Sequence, residues 1–241
     1  MGGWAVHHLV NERYKNARGA EYIGSRDIDL GFRIKKEWSI DELKKSAFAK
    51  TMNVLEQKLG FELQGFRLLK QFGTESKKEL LKEDARTTPP SFIFPLYVDL
   101  MVSDNTNKDN LKKAFGFVPA DEPLLTRVFS DNNDRIQTKL FEKTIFLPSI
   151  EVLLAMKLNA VIKRAKEEKQ TKDLYDIVAL ALYAPREVEK KWLKPIYYAD
   201  KDSREKLDTI LNEKCIDENW RTQFGLAGET AKKIILRLTN L

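Results

Sequence analysis

The chain has 241 residues, enough for a sizeable core in one large domain or two modest ones. Hydrophobic residues make up 42% and charged residues 32%, with 42 Lys and Arg against 36 Asp and Glu; this excess of +6 favours an acidic partner only where it gathers on one face. A single cysteine, Cys215, excludes an intramolecular disulfide, and no apolar run approaches the ~20 residues of a membrane span nor does a signal peptide open the chain, so a soluble, cytoplasmic protein with no membrane partner is expected.

In chain order, a helix is predicted from Trp4 to Arg13, directly behind Gly2-Gly3. Residues Ser25 to Ile34 read as a strand, because Ile28, Leu30, Phe32 and Ile34 alternate with Asp27, Asp29, Gly31 and Arg33. Ser39 and Glu42 form a capping box, and Leu43, Ala47, Val54 and Leu55 then repeat at helical spacing until Gly60 stops the helix. Phe61 to Phe72 and Phe92 to Val102 read as strands; Pro95 inside the second predicts an edge position or a bulge. Asp104 to Asn110 is loop-like, the stretch to Asn133 carries little pattern, and Arg135 to Leu147 reads as one further strand or hairpin. After Pro148 helices follow, over Ser149–Lys169, Lys172–Tyr183, Arg186–Leu193, Ser203–Lys214 and Glu229–Leu238. Strands first and helices second predict an α+β chain, with an α+β lobe over residues 1–147 and a helical lobe over 148–241.

The acidic strand carries the chemistry. Two residues apart on a strand, Asp27 and Asp29 point to one face, and like charges that close ask for a cation between them. Mg²⁺ or Mn²⁺ suits such oxygen donors when substrate phosphates complete its shell. Asp99, alone among Leu96, Tyr97, Val98, Leu100 and Met101, is a costly carboxylate to bury and is the expected third member of a two-metal site. Spacing by itself is weak, since Asp200-Lys201-Asp202 has the same pattern in a polar connection. Gly2-Gly3 at the head of a helix lets a phosphate approach free backbone N–H groups, and Gly24-Ser25 adds a second flexible step and a hydroxyl donor before the acidic strand.

Gly2-Gly3-Trp4-Ala5-Val6 followed by Gly24-Ser25-Arg26-Asp27-Ile28-Asp29-Leu30 resembles the polymerase-β-like nucleotidyltransferase superfamily, and within it the AbiEii-type branch, several members of which are toxins of toxin–antitoxin pairs. The resemblance implies a mixed sheet with flanking helices followed by a helical lobe. It implies that Gly24 and Ser25 hold the triphosphate, that Asp27 and Asp29 bind divalent metal, and that Asp99 assists. It also implies a nucleoside triphosphate as substrate, with an antitoxin protein as partner if the chain is such a toxin. The superfamily places an apolar strand before its Gly-Gly pair, where this sequence has Met1 alone: either the natural chain begins further upstream or the sheet lacks that strand.

In the second half, Lys157 falls on or beside the apolar stripe of Glu151–Leu158, where an ammonium must snorkel out or meet an anion. This stretch, followed by Lys172-Asp173-Leu174-Tyr175-Asp176, is similar to the later AbiEii motifs. By that resemblance Lys157 touches the triphosphate, and Asp173 acts as a base or orients Lys157. Read from the sequence alone, Asp173 sits in the first turn of a helix, where it stabilises the dipole, and Asp176 faces solvent. Lys163, Arg164, Lys166, Lys169 and Lys172 form the densest basic region, expected either to meet phosphates of an RNA acceptor or to be a solvated helix end. His7 and His8, being adjacent, cannot share a metal-binding helix face, and Trp192, Tyr197, Tyr198 and Trp220 are expected to pack helices. The expected activity is transfer of a nucleoside monophosphate from a triphosphate to a hydroxyl of RNA, such as tRNA, or of protein. A non-catalytic nucleotide- or RNA-binding relative of the same fold is the alternative.

Overall fold

The structure, a computed structural model, describes residues 2–103, 106–140, 142–186, 200–216 and 218–239. It is a mixed α and β chain in two compact units, Ser25–Ser130 and Gly2–Gly24 with Asp131–Leu241. This division differs from one at residue 147. The first helix, α1 (Gly2–Arg18), buries Val6, Val10 and Tyr14 at helical spacing and belongs with the helices of the second unit, as does the hairpin of β6 (Arg135–Leu140) and β7 (Lys143–Pro148).

The first unit is built on a mixed sheet. Strand β1 (Asp27–Phe32) runs parallel to β4 (Ile93–Val102), which pairs antiparallel with β3 (Arg67–Gly73), itself antiparallel to β2 (Glu62–Gln64). A short β5 (Ala120–Asp121) continues along β4 in parallel, beyond the start of β3. One face of the sheet, with Leu68, Val98, Leu100 and Val102, packs on Leu43 of α2 (Ile40–Lys45), Phe48 and Met52 of α3 (Ala47–Asn53), and Leu111 of α5 (Lys108–Phe115). The capping box is present, with Ser39 Oγ accepting from the Glu42 N–H at 3.3 Å and Glu42 Oε2 accepting from the Ser39 N–H at 2.8 Å. The helix it opens breaks at Ser46, whose own side chain caps α3. A π-helical turn over Val54–Lys58 then runs to Gly60, which takes φ +68°.

Two strand expectations need correction. Phe61 to Phe72 is a hairpin, because Gly65 takes φ +66° between the paired Gln64 and Arg67, the arrangement of a type II′ turn with glycine first. Strand β4 is central, yet Pro95 pairs only with Gln71, since β1 begins its pairing at Tyr97; on its open side the missing N–H leaves no ladder bond unmade. Short α4 (Lys82–Thr87), α5 and α6 (Leu125–Ser130) occupy segments with little sequence pattern.

In the second unit the predicted helix over Ser149–Lys169 is two helices. Helix α7 (Ile150–Lys163), capped by Ser149, ends at Arg164, and α8 (Glu167–Tyr183) starts three residues later. Helix α7 is buried almost all round, with Ile150, Val152, Leu153, Leu154, Leu158 and Val161 fully inaccessible. Helices α9 (Lys201–Lys214), α10 (Asn219–Phe224) and α11 (Gly228–Thr239) follow, and Trp220 packs against Tyr175 and Phe224 as expected. Trp192, Tyr197, Tyr198 and the predicted helix beyond Arg186 lie outside the described residues. Among the described residues no helix is long and apolar enough to cross a membrane.

Leu100 is fully buried on the core face one residue from Asp99. Leu100→Ala should cost about 2–5 kcal/mol through lost burial and the cavity left behind. Urea unfolding read by fluorescence checks it; a loss under about 1 kcal/mol would mean the sheet's core face is not packed as described.

Candidate functional site

In the first unit three strands converge on one row of charge. The parallel register sets Asp29 opposite Asp99 and Asp27 opposite Tyr97, and the antiparallel register sets Arg67 on the other side of Asp99. Residues opposite one another share a face, so Asp27, Asp29, Asp99 and Arg67 all lie on the face away from the core. The hairpin at Gly65 is what delivers Arg67. Its Nε donates to Asp99 Oδ1 at 2.9 Å and its Nη2 to Asp99 Oδ2 at 2.6 Å, while Nη2 stands 3.4 Å from Asp27 Oδ1. Planar fork meets planar carboxylate, the strong form of this interaction. The guanidinium also lies over the Tyr97 ring at 4.2 Å. The hydrogen bonds with Asp99 hold the Arg67 pKa above its ordinary value, against the opposing effect of partial burial. Ser25 Oγ accepts from the Asp27 N–H at 3.2 Å, which fixes the entry of the acidic strand and leaves the hydroxyl able to donate.

The expected site of three carboxylates therefore has an arginine among them. Among the described residues no group of three or more His, Cys, Asp or Glu side chains is placed to hold a metal ion. Asp27 and Asp29 supply hard oxygen donors on one face, which suits Mg²⁺ or Mn²⁺, whereas both oxygens of Asp99 accept from Arg67. Asp99 joins a metal site only if Arg67 releases it. Sequence reading missed Arg67; the signal that reveals it is Gly65, a turn residue inside an apparently continuous strand.

The second unit holds Gly2, Gly3, Gly24, Lys157 and Asp173. Helix α1 begins at Gly2 itself, which takes φ +62°, and Gly3 is buried in its first turn. Gly24 has a packing reason to be glycine: a Cβ there would stand 3.2 Å from the Trp4 indole. His7 and His8 bond the Tyr22 carbonyl and the Thr138 hydroxyl, consistent with structural roles. Asp200 of the Asp-Lys-Asp comparison pair caps α9 by accepting from the Ser203 N–H at 2.7 Å.

Lys157 does not snorkel. It is 7% exposed, and its ammonium lies 2.7 Å from Asp173 Oδ1 and 2.7 Å from Asp176 Oδ2. Two expectations fail here: α8 begins at Glu167, so Asp173 lies in its second turn, not the first, and Asp176 lies on the face of α8 that meets Lys157, fully buried. Asp176 Oδ1 also accepts from the Tyr22 hydroxyl at 2.7 Å and pairs with Lys172, and Asp173 Oδ2 accepts from Arg164 Nε at 2.8 Å. Asp176 Oδ2 is wholly buried and meets Lys157 at an angle outside hydrogen-bond geometry. Asp176, Tyr22 and Lys172 are the residues of this network that sequence reading missed; Asp173, Asp176 and Leu180 recur at helical spacing, which is the signal for Asp176.

Charge sets the titration of this network. Burial lowers the Lys157 pKa, but Asp176 and Asp173 outweigh burial and raise it above the ordinary lysine value. Burial raises the Asp176 pKa, but Lys157 and Lys172 outweigh burial and hold it below the usual carboxylate range. For Lys172 burial wins over Asp176 and the pKa falls, while burial and then Asp176 push Tyr22 well above a normal tyrosine.

Compared with models of protein families, with curated proteins and with solved structures, the chain matches none.

Because the folded-state pKa of Asp176 is depressed, its contribution to stability is present above the unfolded value of about 3.9 and is lost as pH falls through the folded pKa. Asp176→Asn should therefore flatten the acid limb of stability below about pH 4. At neutral pH it should cost about 3–5 kcal/mol, because Lys157 loses a buried partner. Urea unfolding from pH 3 to 7 reads both; an unchanged acid limb would mean that Asp176 is not coupled to its lysines.

Proposed function

We propose that the chain is a metal-dependent nucleotidyltransferase that moves a nucleoside monophosphate from a triphosphate to a hydroxyl of an RNA, such as tRNA, or of a protein. The observation that carries this reading is the parallel register of β1 and β4, which brings Asp29 against Asp99 beside Asp27 on one sheet face. Asp27 and Asp29 would hold Mg²⁺ or Mn²⁺, which supplies charge neutralisation at the phosphates and a more acidic attacking hydroxyl. In the transfer the hydroxyl oxygen bonds to the α-phosphorus, the bond from that phosphorus to the bridging oxygen of the β-phosphate breaks, and pyrophosphate leaves with the electron pair. The hydroxyl proton passes to solvent or a carboxylate. Ser25 is assigned to a phosphate contact, and the phosphate roles of Gly2, Gly3, Gly24 and Lys157 rest on the sequence alone; Lys157, 7% exposed and held between Asp173 and Asp176, would have to leave both to meet a triphosphate oxygen. Of the two roles for Asp173, orienting Lys157 is the one that the 2.7 Å contact supports. A toxin role and an antitoxin partner belong to the same reading and rest on sequence resemblance alone.

The bidentate grip of Arg67 on Asp99 favours a second reading, a non-catalytic nucleotide- or RNA-binding relative in which the guanidinium permanently replaces a metal. Incubation with Mg²⁺ and each labelled triphosphate, with and without bulk tRNA, separates the two. Label should transfer in a metal-dependent way, and Asp29→Asn should lower the rate by about 100-fold or more, since a metal's electrostatic stabilisation is worth several kcal/mol and each ~1.4 kcal/mol is tenfold. The variant's melting temperature should stay within a few degrees of wild type. No transfer with any triphosphate, together with no metal-dependent nucleotide shift in melting, would leave the binding relative.

Arg67→Gln tests the arginine directly. It removes the cation that competes for Asp99 and Asp27, so Mg²⁺ alone should raise the melting temperature of the variant more than that of wild type. Equal Mg²⁺ shifts would mean that Arg67 and metal do not share these carboxylates.

A further inference from the structure

A cleft of about 310 Å³ opens in the first unit where the chain leaves the C-terminal ends of β1 and β4. Its wall holds Arg33, Lys35 and Lys36, which follow β1 within four residues, and Ser103, which follows β4. Helix α6 contributes Thr126 and the half-buried ring of Phe129. Glu37 is the one acid among the lining side chains, so the wall is net positive. Ligands of open α/β sheets gather in crevices outside the carboxyl ends of parallel strands, where neighbouring connections leave in different directions. The volume lies at the low end for small-ligand sites, the scale of one nucleotide unit.

The cleft lies on the same strand as the carboxylates. Four residues of β1 and its extension separate Asp29 from Arg33, about 13 Å at ~3.3 Å per residue, which is too far for one phosphate to touch both. The basic region that the sequence left open between RNA phosphates and a solvated helix end is partly committed elsewhere: Arg164 is held by Asp173, and Lys172 by Asp176. Arg33, Lys35 and Lys36 are exposed, closely spaced and beside an aromatic ring, the combination that tracks a single-stranded backbone while a base stacks. We propose that this cleft binds the phosphate backbone of a single-stranded RNA, with phosphates on Arg33, Lys35 and Lys36 and one base against Phe129. The proposal deepens the transferase reading by giving its acceptor strand a place, and rests on it only for the name acceptor; binding is independent of catalysis.

The experiment measures anisotropy of a labelled, mixed-sequence single-stranded oligoribonucleotide with the full chain in EDTA, across a series of salt concentrations. Each phosphate contact to a single strand contributes about 0.7 to the slope of log K against log salt, and about fivefold in affinity at 0.1 M. The triple variant Arg33→Gln, Lys35→Gln, Lys36→Gln should flatten the slope by about 2 and weaken binding by about 100-fold at that salt, while its thermal melt stays close to wild type. Phe129→Leu should weaken binding about fivefold or more and leave the slope unchanged, because stacking is not ionic. A comparison variant, Lys163→Gln with Lys166→Gln, should retain wild-type binding. The cleft is overturned if wild type binds no RNA, if the triple variant keeps the wild-type slope, if the loss falls on the comparison variant, or if an acidic peptide such as polyglutamate binds as tightly through the same three residues. Separate transfer assays with Mg²⁺ keep the two readings apart. RNA binding through the cleft without any nucleotide transfer sinks the transferase and keeps the cleft, whereas transfer to RNA with normal binding by the triple variant does the reverse.

Discussion

Carboxylates set side by side in a sheet require a cation, and the first unit is arranged around that requirement. Opposed side chains on neighbouring strands stand roughly 5 Å apart. At an effective dielectric constant near 20, two charges at that distance repel by about 3 kcal/mol. The in-register pairing of Asp29 with Asp99 imposes this repulsion, and Asp27 two residues away on the same face adds to it. Arg67 answers it from the third strand, with two hydrogen bonds to Asp99 and a longer contact to Asp27. That position exists only because β2 and β3 form a hairpin, and the hairpin depends on Gly65 taking a positive φ. A backbone feature of one glycine therefore decides which charge sits in the row.

The second unit meets the same demand differently. Asp173 and Asp176 project from one face of α8 toward α7, where Lys157 lies between them, with Arg164, Lys172 and Tyr22 around the rim. Full burial makes this network costly to break, since removing any one partner leaves a charge in a medium that cannot solvate it. Whether the network is worth more than an apolar replacement of equal volume is a separate matter, and buried ion pairs are poor evidence of net stability. What it does supply is direction: the Lys157 ammonium sits where it is 2.7 Å from an oxygen of each aspartate.

Sequence reading reached the α+β composition, the acidic strand, the capping box at Ser39, β structure before Pro148 (as a strand or a hairpin) and the packing role of Trp220, because each leaves a local mark of alternation, spacing or capping chemistry. It missed what depends on contacts between distant segments. Tyr22, in an irregular stretch, gives no sign that its hydroxyl will meet Asp176, 154 residues later. Arg67 is one cation among 42 until Gly65 folds the hairpin. The expectation that Asp176 faces solvent fails because Lys157, on a different helix, meets it in the interior. Placing α1 with the strands came from its position in the chain; Val6, Val10 and Tyr14 already marked a buried helical face, but not its partner.

The contrast between the two charge clusters bears on where chemistry can occur. In the first unit the side chains of Arg67, Asp99 and Asp27 keep 22%, 13% and 25% of their surface, so solvent reaches them and a partner could exchange for the guanidinium without opening the core. In the second, Asp173 and Asp176 keep 3% and 0%, and any exchange must first open the packing of α7 on α8. A carboxylate that has to change partners during a reaction belongs in the first kind of setting. One that has to stay fixed belongs in the second. By this criterion Asp27, Asp29 and Asp99 are placed for ligand exchange, while Asp173 and Asp176 are placed to hold a lysine still. The exchange itself is a contest between one arginine, which brings a single charge in a planar fork, and a divalent ion, which brings two charges at a point and needs several oxygens around it. Arg67 wins while Asp99 offers both oxygens in the plane of the guanidinium. Under the proposed function a divalent ion would gain ground when triphosphate oxygens complete its shell, because those oxygens would also give the displaced arginine a new partner.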